Sequence, residues 1–152
     1  MIRLWLFLHL LGFTMWMGGA LAVMVAGIAA KREDRAGLGA ITRSQAAAYK
    51  IIIAPGAILA VFSGLILTFS VAGRTGELVG FNVWLVVMQG TGLIGALLVL
   101  LIGLPTAAKL ARLDPAGPGA AHFDELRQRQ KVVASISGTL ALAALVAGAL
   151  VR

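Results

Sequence analysis

The sequence predicts an all-α, polytopic membrane protein: a single transmembrane domain over residues 1–152, built as a four-transmembrane-helix bundle with both termini on the non-cytoplasmic side. Two observations carry that class. Hydrophobic residues make up 60% of the 152 and charged residues only 12%, with a mean hydropathy of +0.96, whereas a water-soluble surface takes about 25% charge. The apolar residues also fall into four uninterrupted runs free of Asp, Glu, Lys and Arg, and crossing the hydrocarbon core as helix takes roughly 20 such residues. Strands of a membrane barrel would alternate over much shorter segments.

The first run, residues 4–30, follows Arg3 and stops at Lys31 and Arg32. Ala20-Leu21-Ala22 has the look of a signal-peptide cleavage site, but the run outlasts the apolar region of about 7–15 residues that such peptides carry, so it reads as a retained span. The second run is residues 51–73. Thr42 or Ser44 is expected to cap its helix, with residues 45–50 forming a turn below the membrane. Pro55 removes a backbone donor and frees the Ile51 carbonyl, and Gly56 adds freedom, so a kink is expected there. The third run, residues 83–108, opens near Trp84 and carries Pro105 in an equivalent place. Asp114-Pro115 and Pro118-Gly119 stop it. Residues 120–130 start the fourth helix before its apolar run at 132–151, with Asp124 and Glu125 ahead of Arg127, Arg129 and Lys131, an order that suits the helix dipole. His122 in this segment reads as a solvated surface residue.

Lys31, Arg32, Arg35, Arg43 and Lys50 follow the first run, and Lys109, Arg112, Arg127, Arg129 and Lys131 follow the third, which places ten of the 13 bases on one face. Arg3, Arg74 and Arg152 hold the other. Basic residues concentrate on the cytoplasmic side, so the two basic segments lie on the cytoplasmic face of the bacterial inner membrane, and the connection at residues 74–80 lies on the other face. A net charge of +7 in a polar chain would suggest nucleic acid. Here the bases flank apolar runs, and the partner is the lipid bilayer, with no nucleic acid. Lys50 and Lys109 can snorkel to the interface, and Trp5, Trp84 and Tyr49 fit the aromatic belts. Cysteine is absent, which removes disulfides and thiolate chemistry.

Helices associate in lipid through small residues and sparse polar contacts. Gly18, Ala22, Ala26 and Ala30 offer one such face on the first helix; Gly56, Ala60, Gly64 and Thr68 offer one on the second. Gly92 with Ala96, Gly103 with Ala107, Ala134 with Gly138 and Ala144 with Gly148 supply the others. The one ionisable side chain inside any run is His9, about six residues or roughly 9 Å from the outer end. A buried ionisable group in a membrane is by default a functional-site hypothesis. Trp5, His9, Gly12, Trp16 and Gly19 share one helical stripe. Gln89 lies at a similar depth with Met88 beside it, as do Thr68 and Ser63. A polar cluster of His9, Gln89, Thr68 and Ser63 is therefore expected, serving as interhelical hydrogen bonding, as a ligand or cofactor site, or as a lipid or partner contact. His9 can ligate haem b or copper, with Met88, Met15, Met17 or Met24, or a second His9 from a homodimer, as the other ligand. Met is also ordinary packing material. The runs hold no carboxylate pair and no Glu-x-x-His motif, which excludes di-iron chemistry of the four-helix kind. No phosphate-binding glycine loop precedes a helix, and no charged midplane pathway for transport is present.

His9, Trp16, Gly18 and Gly19 form an H-x6-W-x-G-G pattern that resembles the first helix of small bacterial membrane proteins. These are the copper-resistance D (CopD) type, the HemJ protoporphyrinogen oxidases and related four-helix families of unknown function. Pro55, then Ser63-Gly64-Leu65, and Trp84 at the start of the third helix agree further. The resemblance implies a haem or metal ligand role for His9, with Trp16 beside it, and copper handling by the CopD type. HemJ proteins carry a Pro-Arg pair after the first-helix glycines and a Lys after the third-helix Trp. Residues 20–24 lack the pair, and Met88 and Gln89 occupy the Lys region. The sequence thus points first to a non-catalytic inner-membrane protein with an outer-leaflet site around His9, Trp16, Met88 and Gln89, and His9 as the metal ligand. The alternatives are an accessory subunit of a larger membrane complex and a HemJ-like oxidoreductase.

Overall fold

The computed structural model describes residues 2–75 and 82–151, apart from the side chains of residues 71–75. The connection expected at residues 74–80 therefore falls largely outside the described residues, as does Arg152. Helix α1 (Ile2–Ala29) ends in a 3-10 turn (Ala30–Arg32). Helix α2 (Arg35–Ala48), a π-helical turn (Tyr49–Ile53) and α3 (Ala54–Thr75) form one unbroken rod. A second rod joins α4 (Val83–Leu98), a π turn (Val99–Gly103) and α5 (Leu104–Leu110), and α6 (Ala120–Leu150) follows. Among the described residues four helices are long and apolar enough to cross a membrane: Ile2–Arg32, Arg35–Ser70, Val83–Leu110 and Ala120–Leu150.

The second rod-forming segment begins earlier than expected. Asp34 caps it, its Oδ1 accepting from the Gly37 N–H at 2.7 Å, which satisfies one of the donors a helix start leaves bare. Thr42 is not a cap. It sits inside α2 with its hydroxyl donating back to the Leu38 and Gly39 carbonyls at 3.1 Å, a usual mid-helix arrangement for Thr. Residues 45–50 are accordingly helical, but they lie well inside the rod and are not its first turn. Asn82 caps α4, its Oδ1 accepting from the Trp84 N–H at 3.0 Å.

At each proline where a kink was expected, a wide turn is placed just ahead of the ring. The Ala54 N–H reaches back five residues to the Tyr49 carbonyl, and the Leu104 N–H does the same to Val99. Each turn ends two residues before the proline, Pro55 or Pro105, which has no N–H to offer and crowds the carbonyl four residues back.

Helix α1 packs chiefly on α3, and α4 on α6, which divides the bundle into two antiparallel pairs. The α1/α3 contact is backbone on backbone. A Cβ at Gly12 would lie 2.6 Å from the Ala60 nitrogen and 2.8 Å from the Gly56 oxygen, and one at Gly56 would lie 2.7 Å from the Trp16 nitrogen. The buried face of α1 is Gly12, Trp16, Gly19 and Val23, the stripe that His9 shares. Of the face beginning at Gly18, Gly18 itself makes no contact, since a Cβ there meets nothing within 4 Å, while Ala30 at its far end is buried. On α3, Gly56, Ala60 and Gly64 do meet α1.

Two aromatic rings join the pairs, each seated on a glycine of the α4 rod. The Trp16 ring, 2% exposed, approaches the Cβ position of Gly95 at 3.2 Å, and the Tyr49 ring approaches that of Gly103 at 3.1 Å. Tyr49 is only 4% exposed, so it belongs to the core and not to an aromatic belt. The wide turn carries it inward, and the bare backbone at Gly103 leaves room for the ring. Between α3 and α4 a wholly apolar crevice of about 270 Å³ runs along Ala57, Val61 and Leu65 on one side and Leu93, Ala96 and Leu100 on the other.

A second apolar cluster of Ala30, Leu38, Leu110, Phe123 and Leu126 sits at the end of the bundle where the basic segments meet. Arg35 ties those segments together. Its two terminal nitrogens donate to the two carboxylate oxygens of Asp124 at 2.9 and 3.0 Å, and Nη1 also reaches the Pro115 carbonyl at 3.4 Å.

Candidate functional site

Backbone contact at Gly12 sets the position of His9 one turn away. It brings the imidazole against α3, where Nδ1 lies 2.7 Å from the Ala60 carbonyl oxygen. A carbonyl can only accept, so Nδ1 is the nitrogen that carries the proton. In the neutral ring Nε2 then holds the lone pair, and among the described residues it has no hydrogen-bond partner. The Cε1–Nδ1 edge of the ring sits against Gly64, whose Cβ position is 3.0 Å from Cε1 and 3.1 Å from Nδ1. Any larger residue at 64 would push the imidazole away. Ser63, fully buried, turns its hydroxyl back to the Leu59 and Ala60 carbonyls.

The neighbouring polar contact is made on the α4 side. Gln89 Nε2 donates to Thr68 Oγ1 at 2.7 Å, and the Thr68 hydroxyl donates to the Gly64 carbonyl at 3.0 Å. This pair lies one turn beyond Leu65 and Leu93 and so borders the apolar crevice at that end. Ser63, Thr68, His9 and Gln89 therefore gather around two turns of α3 as expected, but as two separate contacts that share Gly64. No hydrogen bond links His9 to Gln89.

Met88 and Trp16 are elsewhere. A step of one residue turns a helix by about 100°, so Met88 faces α6 while Gln89 faces α3, and the Met88 sulfur lies 3.0 Å from the Cβ position of Gly148. Trp16 is buried two turns along the stripe from His9, on Gly95, with Phe13 edge-on at 6.4 Å. One turn the other way, Trp5 meets Phe62 edge-on at 6.2 Å. Among the described residues no group of three or more His, Cys, Asp or Glu side chains converges on a point where a metal could bind. His9 thus brings one imidazole nitrogen, Nε2, that could serve as a single metal ligand.

Two interhelical polar ties carry no sequence signal of their own. Gln45 Nε2 donates to the Val23 carbonyl at 3.0 Å, linking α2 to α1, and the Ser137 hydroxyl donates to the Gly95 carbonyl at 3.3 Å, linking α6 to α4. At the basic end, Arg35 holds the Asp124 carboxyl below the ordinary range by hydrogen bonding, with Arg127 and Lys131 adding at longer range, and Asp124 raises Arg35 in return. His122 is exposed and touches only Glu125, at 3.4 Å.

Compared with family models, curated proteins and solved structures, the chain matches none.

Proposed function

We propose that the chain is a non-catalytic multi-pass protein of the bacterial inner membrane. In this reading both termini lie outside, and His9 presents Nε2 in the outer leaflet as one axial ligand to haem b or copper, with a second copy of the chain completing the site. The observation that carries the reading is the 2.7 Å contact from His9 Nδ1 to the Ala60 carbonyl. Metal-ligating histidines almost always donate their other ring N–H to a carbonyl or carboxylate, which fixes the tautomer and ring orientation. The likeness of His9 and Trp16 to the CopD and HemJ pattern supports the same role, and the single-nitrogen donor set supports a shared site.

The visible spectrum and metal content of the detergent-purified chain test this. A Soret band or stoichiometric copper, lost in His9→Ala, is the expected result; a colourless, metal-free protein removes the ligand reading. His9→Ala deletes one interhelical bond of about 0.6 kcal/mol, so the variant keeps its fold.

A second reading is favoured by the way the ring is clamped against Gly64 with one nitrogen bonded. There His9 is a helix fastener, and the protein is an accessory subunit of a larger membrane complex, which copurification with a fixed set of larger subunits would reveal. Sidedness is tested by single cysteines at Thr75 and Gly119, which the cysteine-free sequence makes simple. An impermeant reagent should reach position 75 from outside and position 119 only after permeabilisation; the reverse overturns the orientation.

A further inference from the structure

At the basic end of the bundle, α6 buries polar atoms that have no hydrogen-bond partner of ordinary geometry among the described residues. Gln130 is 8% exposed, yet neither Oε1 nor Nε2 has a hydrogen-bond partner. One turn earlier on the same face, half-buried Arg127 keeps its Nη2 buried and equally unpartnered. Buried polar groups are nearly always hydrogen-bonded, and a desolvated guanidinium nitrogen without a partner is more costly still. Two of the three, Arg127 Nη2 and Gln130 Nε2, are donors on neighbouring side chains and point to a ligand with acceptor oxygens, while Gln130 Oε1 can only accept.

The surroundings say which charge it carries. Of the two carboxylates nearest to Arg127 in sequence, Asp124 is already held by both terminal nitrogens of Arg35. Glu125 is exposed and set against His122. The Arg127 charge therefore has no carboxylate of its own among the described residues. The Tyr49 hydroxyl lies in interaction range of the Gln130 side chain and can orient the carboxamide. Tyr49 opens the π turn, a rare element found frequently at functional sites.

We propose that Arg127 and Gln130, with Tyr49 as the positioning residue, bind a phosphate group at the basic end of the bundle, reached beside half-buried Arg127. Arg127 Nη2 and Gln130 Nε2 donate to its oxygens, the charge-assisted pairing for which guanidinium is suited. The group comes from free inorganic phosphate or from the head of an anionic phospholipid. The lipid source rests on the membrane reading given above. It puts Arg127 five residues, about 7.5 Å along the helix, below the apolar run that begins at residue 132, at headgroup level. Basic pockets between helices on the cytoplasmic side bind such headgroups.

The test uses the full chain, delipidated in dodecyl maltoside and phosphate-free buffer, with thermal unfolding followed during titration of inorganic phosphate or of dioctanoyl phosphatidylglycerol. A saturable rise in Tm with inorganic phosphate assigns the free anion; a rise with the lipid alone assigns the headgroup. Either response should weaken roughly tenfold or more in Arg127→Gln, the loss of one charge-assisted hydrogen bond, and should persist in Arg129→Gln and in His9→Ala. Gln130→Glu places a carboxylate one turn from Arg127, so it should fold without added anion and lose the response. If wild type responds to neither titrant, or if Gln130→Glu and wild type respond alike, the site does not exist.

Discussion

Replacing Gly12 by Ala tests whether backbone contact between α1 and α3 positions His9. The new methyl would sit 2.6 Å from the Ala60 nitrogen and 2.8 Å from the Gly56 oxygen, against an ordinary contact of 3.4 Å or more. Both obstacles are backbone, so neither can rotate aside, and α1 must withdraw by about 0.8 Å, the shortfall at the closest contact. The same withdrawal stretches the His9 to Ala60 hydrogen bond from 2.7 Å to about 3.5 Å, the edge of what counts as one. Overpacking costs about 1–3 kcal/mol and the lost bond about 0.6 kcal/mol. Ala itself favours helix over Gly by as much as about 1 kcal/mol, so the proper reference is Gly18→Ala, where the methyl meets nothing within 4 Å and the propensity gain is the same. Reversible unfolding in mixed micelles should show Gly12→Ala less stable than Gly18→Ala by about 1.6–3.6 kcal/mol, the sum of the two terms just given. Equal stabilities within about 0.5 kcal/mol, the scatter of surface substitutions, would refute the idea that this contact sets the site.

Trp16→Ala should cost about 3–5 kcal/mol in the same assay, the usual range for a buried aromatic, because the ring bridges the two helix pairs; a loss under about 1 kcal/mol would mean the pairs hold without it. For Asp124, the folded-state pKa lies below its unfolded value. Its contribution to stability is therefore fully present above the unfolded pKa and is lost as pH falls through the folded one, below about pH 4. Asp124→Asn should flatten that acid limb of the stability profile, and an unchanged limb would show that the Arg35 clamp contributes nothing.

Four uncharged runs were enough to read four helices, because length and charge decide what can cross a bilayer. The stripe of His9, Gly12, Trp16 and Gly19 was legible as a contact face, and so was the meeting of Thr68 with Gln89 by depth. The competing Gly18 face on α1 could not be dismissed from sequence: in a helix that is apolar all round, small residues mark possible contacts without saying which one the partner uses. Asp34 escaped notice because the reading placed the helix start next to the apolar run, while α2 extends far beyond it on a mixture of polar and small residues. Tyr49 was misplaced for a related reason. A tyrosine near the end of a run suits an interface, and only the wide turn beside it shows that the ring points inward. Met88 and Gln89 were grouped by adjacency, although neighbours on a helix look in different directions.

Each wide turn stores one residue more than an α-helical turn would, which gives the two rods a built-in phase. Deleting Ile52 would let α2 run straight into α3 with regular hydrogen bonding, yet everything beyond would be rotated by about 100°. Gly56 would no longer look toward Gly12, and Gly64 would swing away from the imidazole. A lesion that tidies the local geometry would thus scramble the distant fit, and an insertion of one residue two or three positions away could restore it.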